Sequence, residues 1–107
     1  MLTCFFIDTA PNIIDYIDCI WQLLEPGGVW INNGPLLYHW AAEAGSGDRR
    51  YEQSVELSYE AVRHVAEGAG FIFEHEARCN CHYASDPTSM MATAYNTVVF
   101  SARKPKT

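Results

Sequence analysis

The stretch Ile13-Ile14-Asp15-Tyr16-Ile17-Asp18-Cys19-Ile20-Trp21-Gln22-Leu23-Leu24-Glu25-Pro26-Gly27-Gly28-Val29-Trp30-Ile31-Asn32-Asn33 decides the fold. Ile14, Ile17, Ile20, Trp21 and Leu24 fall on one stripe at helical spacing, which predicts an amphipathic helix over residues 11–24. Asp8 or Thr9 can cap its start, and Pro11 suits its first turn, where no backbone N–H is needed. Glu25-Pro26-Gly27-Gly28 stops it, because proline cannot continue a helix and glycine accepts the left-handed exit. The apolar run that follows predicts a strand over residues 29–33.

Upstream, residues 1–7 form a continuous apolar run, expected to be a strand buried on both faces. It opens at residue 1 with no turn or cap, which leads us to expect a truncated chain. Strand, helix and strand in this order predict a parallel pair with a right-handed crossover, so that both C-terminal ends share one edge of the sheet. Ligands of open α/β sheets bind along that edge. Asp8 follows the first strand, and residues 35–39 leave the second, so Asp8 and His39 are expected to meet there.

Downstream, residues 41–54 are polar and small, with Gly45-Ser46-Gly47-Asp48 at their centre, and read as an exposed loop. Ser58 caps a helix expected over 59–68, with Leu57 as its hydrophobic staple and Val62, Val65, Ala66 and Ala69 as its buried stripe. Gly68 and Gly70 end it. Residues 71–78 and 93–103 are rich in aromatic and β-branched side chains, and the turn-forming Asp86-Pro87-Thr88-Ser89 lies between them, so they predict a late antiparallel pair. The fold class is α/β, with parallel strands joined by a crossover helix and followed by that pair.

The composition sets limits on function. At 107 residues the chain has room for one domain, and its 49% hydrophobic content supports a packed core. Seven basic against thirteen acidic residues give a net charge of -6, which argues against nucleic acid or anionic membrane as partners. The first ten residues lack the basic and long apolar segments of a secretory signal. The expected location is cytoplasmic, with the nucleus as a second site. Cys4, Cys19, Cys79 and Cys81 are placed unevenly in a core-rich chain and are expected to be reduced. Cys79-Asn80-Cys81-His82 invites a zinc reading, but the spacing is tighter than that of zinc sites and no second ligand pair follows, so no metal is expected.

The order strand, helix, Pro-Gly-Gly, strand, loop, helix ending in Ala69-Gly70-Phe71, then two strands is similar to the second half of a Rossmann-like methyltransferase domain. More specific are Cys4-Phe5-Phe6-Ile7-Asp8-Thr9-Ala10, Asn12-Ile13-Ile14-Asp15-Tyr16-Ile17 and Trp30-Ile31-Asn32-Asn33-Gly34-Pro35-Leu36-Leu37-Tyr38-His39. With Ser89-Met90-Met91 and Val98-Val99-Phe100, they resemble the carnosine N-methyltransferase family over nearly the whole chain. Residues 41–53 look like an insertion, and Ala92-Thr93-Ala94 stands where that family has an aromatic run.

The resemblance implies methyl transfer from S-adenosylmethionine to an imidazole nitrogen of carnosine or a related histidyl dipeptide, giving anserine. Asp8, His39, Tyr95 and Tyr83 match the family's substrate-binding positions, and Cys4 and Phe5 match positions lining its cofactor pocket. Displacement at a sulfonium needs an aligned, unprotonated nitrogen. A carboxylate such as Asp8 can accept the other ring N–H and fix that tautomer, which makes Asp8 the expected catalytic group. Taken singly, these residues have ordinary uses: Asp8 as a helix cap, His39 as a solvated loop residue, Tyr95 as part of a strand.

The glycine-rich turn and the acidic residue that usually grip such a cofactor are not in this sequence, so the 107 residues are expected to bind S-adenosylmethionine weakly or not at all. The competing expectation is a non-catalytic half-domain that acts by association with another chain. An exposed first strand would promote self-association through its edge.

Overall fold

The computed structural model describes residues 1–41, 49–52, 54–82 and 86–106. Strand β1 (Leu2–Cys4) leads through a single 3-10 turn (Ile7–Thr9) into helix α1 (Ile13–Leu23) and strand β2 (Val29–Gly34). One helical turn, α2 (Arg49–Glu52), precedes helix α3 (Tyr59–Ala69), and strands β3 (Ile72–His82) and β4 (Ala94–Arg103) complete the chain. The four strands form one sheet in the order β1-β2-β4-β3. β1 and β2 are parallel, with Thr3 opposite Asn32, and β4 runs antiparallel to both β2 and β3. This is the α/β arrangement expected, a parallel strand-helix-strand unit followed by an antiparallel pair. β4 lies between β2 and β3, so the last strand is central while β1 and β3 are the edges.

Helices α1 and α3 cover one face of the sheet. Ile13, Ile17 and Ile20 from α1 and Val62 and Ala66 from α3 pack against Trp30, Phe100 and Ala102 of the sheet. The Trp30 ring meets Phe100 edge-on at 4.8 Å between centroids, and Trp21 meets Phe71 at 5.0 Å, both within the favourable range for aromatic pairs. Trp30 is buried together with two polar residues, and the three satisfy one another: Trp30 Nε1 donates to Thr3 Oγ1, whose hydroxyl donates to Asn32 Oδ1. Asn32 Nδ2 in turn donates to the Val98 carbonyl. A closed network of this kind locks the register of β1, β2 and β4, since slipping any strand would leave buried polar groups unpaired.

Several elements differ from expectation. The first strand is shorter than residues 1–7 and is open on one side, with Leu2 70% exposed and Thr3 buried, because Phe5 adopts φ +50 and turns the chain into the 3-10 segment. The cap of α1 is Asn12, whose side chain accepts the Ile14 N–H, in place of Asp8 or Thr9; Pro11 precedes the helix. Lys104 closes the far end of α1, its ammonium donating to the Trp21 and Leu24 carbonyls, where a cation also complements the helix dipole. Within the expected loop 41–54, residues 49–52 form the turn α2, and residues 42–48 and 53 lie outside the described residues.

Helix α3 begins at its Ser58 cap and runs to Ala69, with Gly68 inside it and Gly70 as its left-handed end at φ +119. A Cβ at Gly70 would also stand 2.6 Å from the Trp21 ring, so packing and backbone both demand glycine there. β3 extends to His82, four residues beyond the strand expected at 71–78, because its pairing with β4 continues through Cys81 and Tyr95 to His82 and Ala94.

Candidate active site

The C-terminal ends of β1 and β2 carry the site. After Cys4 the backbone reverses at Phe5, whose N–H still reaches the Asn33 carbonyl at 2.9 Å, and the 3-10 turn then delivers Asp8. β2 ends at Gly34, where an added Cβ would lie 3.0 Å from the Phe5 nitrogen, so any larger residue would push the two chain segments apart by a few tenths of an ångström. Residues 35–41 then fold back over Asp8.

Three hydrogen bonds fasten this loop to the turn. The Leu37 N–H donates to Asp8 Oδ2 at 3.1 Å, the His39 N–H to the Asp8 carbonyl at 3.0 Å, and Trp40 Nε1–H to the Thr9 carbonyl at 3.0 Å. Tyr38 sits between them at φ +25, and its hydroxyl donates to the Leu57 carbonyl ahead of α3. Burial pushes the Tyr38 phenol above its ordinary range, as does the nearby charge of Asp8. Two non-glycine residues with positive φ, Phe5 and Tyr38, thus flank the same point, a concentration of backbone strain typical of functional sites.

Phe5, Asp8, Pro35, Leu37, His39 and Tyr95 line one cavity of about 270 Å³. Tyr95, the second residue of β4, packs edge-on against the Phe5 ring at 5.4 Å. Asp8 is 2% exposed. One of its carboxylate oxygens is held by Leu37, and the other has no protein donor among the described residues. The cavity is a little smaller than the usual ~300–1,000 Å³ of ligand pockets, a size suited to one ring of a small ligand. A buried acceptor beside an imidazole, a phenol and an aromatic wall can bind a ring N–H and hold the ring by its edges.

The structure therefore brings Asp8, His39, Tyr95 and Phe5 together. Cys4 does not line this cavity: it is exposed, one residue before the turn, because strand alternation sends it to the open face of the sheet. Tyr83 lies outside the described residues. Pro35 and Leu37 were not singled out in the sequence, although Gly34-Pro35 at a strand end marks where the chain must leave the sheet. A second cavity, of about 350 Å³, lies beyond the Pro35 to Leu37 segment, lined in part by Tyr59 and Arg78. The Arg78 guanidinium stands 5.5 Å from the Tyr59 ring, while burial and a hydrogen bond to Glu76 raise the Tyr59 phenol far above its ordinary range.

The strand pleat separates the zinc-like residues, with Cys79 and Cys81 on one face of β3 and His82 on the other. Among the described residues no group of three potential ligands converges as a metal site, and no helix is long and apolar enough to cross a membrane.

A family model described as carnosine N-methyltransferase matches residues 1–106. A carnosine N-methyltransferase of Rattus norvegicus is 50% identical over 105 residues, which are 97% of this chain and 25% of the relative. One of Dictyostelium discoideum is 45% identical over 98 residues, 92% of this chain and 19% of the relative. One of Schizosaccharomyces pombe is 42% identical over 98 residues, 88% of this chain and 26% of the relative. The chain spans between about a fifth and a quarter of the length of these relatives.

Proposed function

Because this chain belongs to the carnosine N-methyltransferase family, we propose that it forms the substrate-side part of an S-adenosylmethionine-dependent N-methyltransferase acting on the imidazole of carnosine or a related histidyl dipeptide, with anserine as product. The observation that carries this reading is the cavity in which Asp8, His39 and Tyr95 converge. Asp8 accepts the N–H of the substrate imidazole on its free oxygen, which fixes the tautomer and leaves the other ring nitrogen with its lone pair exposed. The Leu37 N–H restrains the carboxylate, so it meets the ring already oriented. Phe5 packs on the ring, and His39 and Tyr95 hold the remainder of the dipeptide by hydrogen bonds.

S-adenosylmethionine, when bound, supplies an electrophilic methyl group on a sulfonium. Of the residues present, Phe5 fits one edge of a site for it, as an aromatic wall at the C-terminal end of β1, and the exposed Cys4 borders the same strand end. Among the described residues no glycine-rich turn follows a strand to cradle the rest.

Titrating carnosine into isotopically labelled protein while following its amide resonances tests the substrate reading. Shifts are expected at Leu37, His39 and Tyr95 and are expected to vanish in Asp8→Ala. Shifts gathered instead around Tyr59 and Arg78, or none at all, would overturn it. Calorimetric titration with S-adenosylmethionine alone should give weak heat or none, and tight binding would refute the incomplete cofactor site.

A second reading, a non-catalytic half-domain that associates with another chain, is favoured by one observation. Beside the free edge of β1, Met1, Thr3, Phe6, Tyr16, Cys19, Ile20 and Leu23 line an apolar hollow of about 310 Å³, and Leu2 is exposed next to it.

A further inference from the structure

The sequence Cys79-Asn80-Cys81 has no part in the proposed methyl transfer, yet it pairs with β4 next to Tyr95, which lines the cavity. Cys79 and Cys81 share the open face of β3, and in the register with β4 they stand opposite Thr97 and Tyr95. Cys81 is the better enclosed of the two: its sulfur lies 3.7 Å from Asn33 Nδ2 on β2 and 3.7 Å from the Thr97 hydroxyl. Hydrogen bonds from Thr97 and Asn33 stabilise the thiolate and hold the Cys81 thiol below its ordinary range. The Cys79 thiol is exposed and interacts with that of Cys81, which pushes Cys79 up. Two adjacent thiols of unequal acidity, both reachable from solvent, are the elements of an attacking and a resolving cysteine. Cys4 and Cys19 are exposed too, but no side chain among the described residues hydrogen-bonds to either.

We propose that Cys81 is a thiol-exchange site for small-molecule disulfides, with Cys79 as its resolving partner. The Cys81 thiolate attacks one sulfur of the small disulfide, whose S–S bond breaks and releases one half as a thiolate. Cys79 then gives its proton to water and attacks the Cys81 sulfur of the mixed disulfide, expelling the second half. Two protein thiols are oxidised to one disulfide, and the small disulfide is reduced to two thiols. Residues two apart on an extended strand have Cα atoms about 6.6 Å apart. That is near the upper limit of ~6.8 Å for a disulfide. Closing the bridge therefore shortens the end of β3 and, through the Cys81 to Tyr95 pairing, displaces a wall of the cavity.

The test exposes the full 107-residue chain to oxidised glutathione, blocks remaining thiols with iodoacetamide, and weighs the tryptic peptide of residues 79–103. The expected product in the unmodified sequence is a peptide two hydrogens lighter, formed after a transient glutathione adduct. Cys79→Ser should trap that adduct on Cys81, and Cys81→Ser should prevent both. Site-resolved alkylation of the native chain gives a readout that needs no variant, with Cys81 expected to react several-fold faster than Cys4 or Cys19. Equal rates at all four cysteines, or a glutathione adduct that persists while Cys79 is intact, would overturn the proposal. No activity is measured, so the outcome is independent of the methyl-transfer reading.

Discussion

Asp8 holds the loop after β2 from two sides: its carboxylate accepts the Leu37 N–H at 3.1 Å while its carbonyl accepts the His39 N–H at 3.0 Å. The side chain therefore has a structural bond on one oxygen and, among the described residues, no donor on the other. Asp8→Ala removes both and leaves the Leu37 N–H without its partner. A hydrogen bond to a charged group contributes about 1.5–3 kcal/mol, which is the destabilisation expected in urea denaturation. Asp8→Asn keeps an oxygen for Leu37, so it should lose less than half of that. Both substitutions should weaken carnosine binding at least tenfold, and a variant that folds normally and binds carnosine unchanged would remove Asp8 from the site.

Gly34→Ala is expected to act on the site through the backbone. The new Cβ would press on Phe5 at 3.0 Å from its nitrogen and 3.1 Å from its Cα, and neither atom can rotate away. Overpacking of this kind typically costs about 1–3 kcal/mol. The accompanying signature should be a weakened nuclear Overhauser contact between the Phe5 and Tyr95 rings. Intact ring contacts with unchanged stability would mean that the two segments pass less tightly than their geometry indicates.

The parallel unit was legible because its signals are local: a helical stripe, a Pro-Gly-Gly stop and an apolar run. The site was legible through topology, since two strand ends on one edge bring Asp8 and His39 together, and the family resemblance added Tyr95 and Phe5. The face that Cys4 takes, open and away from the Asp8 cavity, was not legible because strand alternation depends on where the strand starts and stops. The positive φ of Phe5 that ends β1 after Cys4 has no signature in an apolar run. Asp8 and Thr9 both suit a cap for α1, but the Asp8 carboxylate is engaged by Leu37, from a loop 29 residues away, and Asn12 caps the helix instead. Nor does sequence order reveal that β4 lies between β2 and β3, since that follows from the alignment of Asn32 with Phe100 and of Thr97 with Cys79.

Alkaline titration should show tyrosines of two kinds. Tyr38 and Tyr59 both have phenols raised above the ordinary value near 10, chiefly by burial. A group that keeps its proton more tightly when folded contributes stability that is fully present below its unfolded pKa and is lost as pH rises toward the folded one. Stability should therefore fall once the pH exceeds about 10. Phenolate absorbance should include a late phase, from Tyr38 and Tyr59, that coincides with unfolding. Removing Tyr59 by Tyr59→Phe should shrink only the later phase. Absorbance that rises in full at the ordinary pKa would contradict the enclosure of Tyr38 and the hydrogen bond of Tyr59 to Glu76.

The edge of β1 gives the last prediction. In the parallel pairing, Met1 and Phe5 use their backbone groups on β2, so those of Leu2 and Cys4 point outward, and Leu2 and Leu23 are 70% and 66% exposed beside them. An edge with free backbone groups and apolar side chains is a template for pairing with another strand. Sedimentation of the 107-residue chain should show reversible association that grows with concentration. Leu2→Lys places a charge on the edge and should shift the chain toward monomer, with little effect on folding because the side chain already faces solvent. Leu23→Glu, on the neighbouring helix surface, should act in the same direction. If the unmodified chain sediments as a monomer at all concentrations, the edge does not drive self-association, and the half-domain reading loses the observation that favours it.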